Sequence, residues 1–194
     1  MRILLILLLL IPTYILSQEV IIKNGLYETK YSYDHKSPIW VKYELYKGGG
    51  DCNRSKFKFI ELKGTADNDD FVGSGFDKGH LVPAEDFAYD CELEKKTFYM
   101  YNVVAQYPNS NRGVWSSYEK KVRKLSQYQR ISIQCGCFYG ANKINNSISI
   151  PTSCWKIVRS MDGKVLISVL ITNDKEINSV KKVPYQDLIK RIEF

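Results

Sequence analysis

Two histidines occur among the 194 residues, and their settings differ. His35 lies in Tyr33-Asp34-His35-Lys36-Ser37-Pro38 and reads as an exposed residue of a polar turn. His80 closes the run Gly73-Ser74-Gly75-Phe76-Asp77-Lys78-Gly79-His80, where small residues let the backbone turn tightly and charges crowd one imidazole. An imidazole accepts a proton near neutral pH, which is what a general base must do. A second polar set follows about thirty residues on: Asn111-Arg112-Gly113, then Trp115, Glu119 and Arg123. Taken singly these have ordinary structural uses. Asn111 suits a helix N-cap, and Glu119 with Arg123 suits an i,i+4 pair on a helix face.

The elements that must position them follow from periodicity. Trp115, Tyr118, Val122 and Leu125 recur at intervals of three and four, which predicts a helix from about Arg112 to Gln127 with one apolar stripe. Alternating or β-branched and aromatic runs predict strands over Ile39–Tyr46, Phe57–Leu62, Thr97–Ala105, Arg130–Phe138, Ser147–Ile150, Cys154–Val158 and Lys164–Thr172. Short helices are expected over Pro83–Asp90 and Pro184–Ile192. Strands on both sides of one strong helix, with a β-rich C-terminal half, indicate an α+β fold.

Asp77-Lys78-Gly79-His80, then Asn102, Gln106, Asn111, Trp115, Glu119 and Arg123 in order, resemble the signature of the DNA/RNA non-specific endonucleases. These carry the ββα-metal, or His-Me finger, active site. The match runs from about Asn53 to Leu125, with weaker likeness in pattern beyond. The resemblance implies a single-domain ββα-metal nuclease core on a mainly antiparallel sheet. It makes His80 the base that activates water and Asn111 the direct ligand of a divalent cation, Mg2+ or a relative such as Mn2+. Glu119 then holds the waters around that cation, and Asp77 and Lys78 complete the first motif. Arg54, in Cys52-Asn53-Arg54-Ser55, matches the family's upstream arginine loosely and is expected to stabilise phosphate charge. Arg123, Lys120, Lys124 and Asn102 are expected to contact nucleic acid, with DNA and RNA as substrates. Two positions depart from the family pattern: Lys78 stands where Arg is usual, and Ala105 where Pro precedes the Gln. Lysine keeps the charge but not the bidentate grip on phosphate.

Composition agrees with this reading. Hydrophobic residues make up 44% and charged residues 25%, which excludes a disordered chain or a rod. Lys and Arg number 28 against 21 Asp and Glu, a net charge of +7 that favours polyanionic partners. Met1-Arg2 and the aliphatic run Ile3–Ile11 predict a signal peptide cleaved near Ser17, hence a secreted or periplasmic domain over residues 18–194. An uncleaved anchor is the alternative, disfavoured by the shortness of the apolar run. In an oxidising compartment the five cysteines allow one or two disulfides and leave at least one thiol over. Cys135 and Cys137 share one face of a strand and should not bond each other. Two other functions compete: a weakened, non-catalytic nucleic-acid binder on the same fold, and an extracellular module binding through some of the 14 tyrosines.

Overall fold

The computed structural model of the chain describes residues 19–177 and 179–192; the expected signal peptide, 1–17, lies outside the described residues. Seven antiparallel strands form the main sheet: β1 (Glu19–Lys23), β2 (Tyr27–Ser32), β3 (Ser37–Leu45), β6 (Ile131–Ile144), β7 (Ile148–Ser160), β8 (Val165–Thr172) and β9 (Val180–Lys182), in that spatial order. Strands β4 (Asp77–His80) and β5 (Val103–Gln106) make a separate antiparallel pair. The helices are α1 (Cys91–Lys96), α2 (Ser116–Ser126) and α3 (Tyr185–Ile192).

Strand alternation sorts the side chains onto the two faces of the sheet. Val41, Tyr43, Leu45, Ile131, Ile133, Cys135 and Val158 face the β4–β5 pair and α2, joining Leu81, Val104, Trp115 and Val122 in the main core. Trp155 and Ile157 point the other way and bury Leu188 of α3. The helix stripe read from the sequence is the buried one: Trp115 and Val122 are wholly covered. Each large side chain so buried contributes roughly 1.5–3 kcal/mol, so the stripe fixes α2 firmly beneath the site.

Two disulfides form, Cys52–Cys91 and Cys137–Cys154, and Cys135 remains a buried thiol. Cys137 and Cys154 are direct cross-strand partners of β6 and β7. Cys135 faces Lys156 instead, so its register denies it a bonding partner.

Several elements differ from expectation. Phe57–Leu62 is not a strand. Only Ile60 pairs, its amide bonding Phe98 O at 2.9 Å, while Phe57 and Phe59 spend their rings on Phe98. Thr97–Ala105 is extended only from Val103 onward. Asn102 accepts from Val82 N at 2.9 Å and donates to Val82 O and Thr97 O at 3.0 and 2.8 Å, which favours a 3-10 turn over Met100–Asn102. The two short strands expected at 147–150 and 154–158 are one strand, β7, continued through Pro151 opposite a bulge at Tyr139. His35 is not free in its turn: Nδ1 lies 2.9 Å from Ser149 Oγ and the ring stacks on Tyr139 at 4.6 Å.

Candidate active site

The site is built by β4, β5 and the start of α2. In the β4–β5 register, Asp77 faces Gln106, Gly79 faces Val104 and His80 faces Val103. Gly79 is there for space: a Cβ would collide with the Gln106 amide. After β5 the chain enters a π-helical turn, Ser110–Trp115, that runs directly into α2. Trp115 ties the two halves together, because its fully buried indole donates from Nε1 to His80 O at 3.2 Å.

His80 stands between Phe59 and Phe98, with ring centroids 5.2 and 5.0 Å away. Its Nε2 is buried and has no hydrogen-bond partner. Burial, assisted by the positive charge of Arg54, pushes the imidazole down to about 3. It is therefore neutral at ordinary pH.

Asn111 donates from Nδ2 to Asp77 Oδ2 at 2.9 Å, which leaves its Oδ1 as the atom for the cleft. Arg112 grips the same carboxylate with two bonds, Nε to Oδ2 at 2.8 Å and a terminal nitrogen to Oδ1 at 2.6 Å. Partial burial alone would raise the Asp77 carboxyl, but the bonds from Arg112 and Asn111 outweigh it and hold it below its ordinary value. Glu119 behaves in the opposite way. Burial pushes its carboxyl up to about 7, and neighbouring Asp86 adds to this, against the opposing charges of Lys156, Arg123 and Arg54.

These groups converge on one cleft of about 390 Å3, lined by Arg54, Lys78, His80, Pro83, Ala84, Glu85, Asn111, Arg112, Ser116 and Glu119. Arg54 reaches it from a 3-10 turn beginning two residues after Cys52, whose disulfide to Cys91 anchors that loop to α1. Lys78 donates to Asn68 Oδ1 at 2.7 Å, and burial lowers its ammonium from the usual value. The structure thus brings together His80, Asn111, Glu119, Arg54 and Lys78, with Asp77 directly behind Asn111.

Two expected nucleic-acid contacts are placed elsewhere. Asn102 is wholly buried and spends its amide on Val82 and Thr97, so it has nothing to offer a ligand. Arg123 turns inward and pairs with the fully buried Asp86 at 2.7 Å, in place of phosphate or the helix neighbour Glu119. Lys120 and Lys124 are exposed on α2, four and eight residues on from Ser116, and share its side of the helix.

Sequence reasoning missed three residues around the site. Arg112, beside Asn111 in the motif, is the second clamp on Asp77. Asp86 supplies the partner for Arg123 and accepts from Tyr43 Oη at 2.9 Å; the acidic pair in Pro83-Ala84-Glu85-Asp86 was its only signal. Lys156 is fully buried, with Nζ 4.2 Å over the Trp115 ring. Its alternation with Cys154 and Val158 along β7 was the sign that it faces inward.

An antiparallel strand pair feeding a helix, with histidine on the strand and asparagine at the helix start, defines a ββα-type hydrolytic site on an α+β sheet. The chain belongs to the DNA/RNA non-specific endonuclease family, whose pattern matches residues 10–193. It is 31% identical over 144 residues to mitochondrial endonuclease G of Bos taurus, covering 63% of this chain and 48% of that protein. It is 33% identical over 122 residues to a nuclease of Nostoc sp., covering 56% of this chain and 44% of that protein. The matches thus span a little under half the length of these relatives. The fold is that of EndoG in the crystal structure of the EndoG/EndoGI complex, with a TM-score of 0.75 at 22% identity, covering 89% of this chain and 83% of that one.

Proposed function

We propose that this chain is an exported endonuclease that hydrolyses phosphodiester bonds of DNA and RNA with the help of a divalent cation. The observation that carries the reading is His80, a neutral imidazole, lining the same cleft as Asn111 and Glu119.

The residues present fit a hard cation of the magnesium type, which takes oxygen ligands and keeps much of its own water. Asn111 offers Oδ1 because Nδ2 is committed to Asp77. Glu119 is a half-buried carboxyl at the same cleft, raised chiefly by the loss of water around it, a loss that a hydrated cation beside it would offset. Asn111 would hold the ion directly and Glu119 through water. When bound, the cation supplies positive charge beside the scissile phosphate and the leaving oxygen.

The chain's own groups do the rest. Arg54 and Lys78 bind non-bridging phosphate oxygens and seat the diester. His80 takes a proton from a water molecule in the cleft as that water attacks phosphorus, and the bond to the 3′ oxygen breaks. A bound phosphate offsets the Arg54 charge that helps keep His80 so weakly basic, lifting the imidazole toward the range where a base works best. Trp115, through His80 O, keeps the base-bearing strand aligned with the Asn111 turn. Lys120 and Lys124 extend a positive track along α2, as sequence-independent phosphate binding requires. The two disulfides support export, since such bonds persist in oxidising compartments.

The test is cleavage of plasmid DNA and total RNA by the purified mature chain, with magnesium, with EDTA, and with His80→Ala. Metal-dependent degradation of both substrates, reduced about 10²–10⁴-fold in the variant while binding persists, is expected. Salt-sensitive binding with no cleavage under any cation would replace this reading with that of a non-catalytic binder.

A further inference from the structure

The cleft continues past His80 into a second hollow of about 370 Å3. Arg54, Lys78, His80 and Asn111 line both spaces, but the far wall of the second is Phe59, Phe71, Val72 and Phe76. Val72 is 74% exposed, an isolated large apolar side chain held out beside a polar site. It stands on a loop whose Gly73 and Gly75 have φ of +67° and +81°, a conformation that side chains rarely adopt. Phe76 backs onto Tyr107 with centroids 4.4 Å apart, and Lys78 Nζ lies 5.1 Å over the Phe59 ring.

The polar capacity of this wall is already committed. Asn68 donates to Glu61 Oε1 at 2.6 Å and Phe59 O at 3.3 Å, and accepts from Lys78 Nζ at 2.7 Å. Asp77 is held by Arg112 and Asn111. The far wall therefore presents ring and methyl surface, and the unspent polar groups, Arg54 and Asn111 Oδ1, lie on the side shared with the first cleft.

We propose that this hollow is a nucleobase subsite that takes the face of one base flanking the scissile phosphate. The inference rests on the phosphodiester reading above and deepens it. A phosphate seated between Arg54 and Lys78 leaves one flanking nucleoside beside Val72 and Phe76, where an apolar face replaces water. Every base has such a face, and stacking platforms are sequence-tolerant for that reason. The hollow discriminates a base from its absence, and does not read which base is present.

The test uses a short fluorescein-labelled single-stranded oligodeoxynucleotide and a matched strand of abasic residues. Binding is followed by anisotropy in EDTA, and cleavage is followed separately in magnesium. Wild-type protein should bind the base-bearing strand about tenfold more tightly, a modest value for one base–aromatic stack. Phe76→Ala should close most of that gap. Val72→Ser alters only an exposed side chain and should narrow the gap about twofold with the fold intact. Equal binding of the two strands by wild type, or an unchanged gap in both variants, overturns the subsite. A gap that both variants reduce, in a protein that cleaves neither DNA nor RNA with any cation, upholds the subsite and overturns the endonuclease reading instead.

Discussion

Replacing Asp77 with Asn should cost the site its grip on the cation while sparing the fold. The wild-type carboxylate accepts three hydrogen bonds, one from Asn111 and two from Arg112. An amide at that position has one oxygen and one NH2, and the NH2 faces an Arg112 donor. Arg112, 72% exposed, swings into water at little cost, since exposed pairs contribute about 0–1 kcal/mol. The bond to Asn111 matters more. A hydrogen bond to a charged group contributes about 1.5–3 kcal/mol and a neutral one about 1. Asn111 thus loses about 0.5–2 kcal/mol of the bias that turns Oδ1 toward the cleft, which is about 2–30-fold in population. Initial rates on plasmid DNA across a magnesium titration read this directly. The half-saturating magnesium concentration should rise about tenfold, within the range seen for residues that support a metal ligand, and excess magnesium should restore part of the rate. Arg112→Ala keeps the Asp77–Asn111 bond and should shift the titration far less. Because the Asp77 carboxyl is held below its ordinary value of 3.8, its contribution is complete above that pH and fades as pH falls through the folded value. Unchanged magnesium dependence in Asp77→Asn, or an equal shift in Arg112→Ala, would refute the reasoning.

Other consequences are equally measurable. Arg123→Met leaves the fully buried Asp86 without its cation and should lower unfolding free energy by about 3–5 kcal/mol in urea titrations, most of which Asp86→Leu in the same chain should restore. Glu119 has a folded carboxyl near 7, above its ordinary 4.5, so wild-type stability should fall as pH rises between those values. Glu119→Gln removes that loss: at pH about 8 without metal it should be more stable than wild type, by up to about 3 kcal/mol in urea titrations, while magnesium stabilises only the wild type appreciably. Lys120→Ala and Lys124→Ala should weaken DNA and RNA binding alike, each lowering the slope of log affinity against log salt by about 0.9, with magnesium dependence unchanged.

What the sequence disclosed was whatever depends on spacing along one element. The stripe Trp115, Tyr118, Val122, Leu125 placed α2 and its buried face, and alternation along β3, β6 and β8 placed the centre of the sheet. The motif residues His80, Asn111 and Glu119 meet in one cleft because β4 pairs with β5, and β5 runs through a short turn into the start of the helix. Partners chosen across the fold were hidden. Glu119 and Arg123 stand at ideal helical spacing for each other, yet the guanidinium is drawn to Asp86, a buried carboxylate far along the chain. Asn102 carries a polar side chain that looks available until the backbone groups of Val82 and Thr97 are seen to claim it. Phe57–Leu62 alternates like a strand, but its aromatic side chains serve the wall around His80 and its backbone bonds at a single point. The outer strands β1, β2 and β9 are short or mixed in pattern, and their existence depends on an edge supplied by neighbours.

The π-helical turn before α2 sets a rule of length upon this site. Ser116 N bonds back to Asn111 O, five residues away where an α-helix would span four. One residue has in effect been inserted ahead of a helix whose buried stripe begins only at Trp115. Deleting a residue there would regularise the helix and leave every core contact of α2 available. It would also rotate Asn111 by about 100° around the axis, away from Asp77 and out of the cleft. Chains that share this architecture can thus part company in chemistry through a single deletion that leaves the buried face of α2 intact. In comparing sequences, the count of residues between Gln106 and Trp115 is then as diagnostic as their identities.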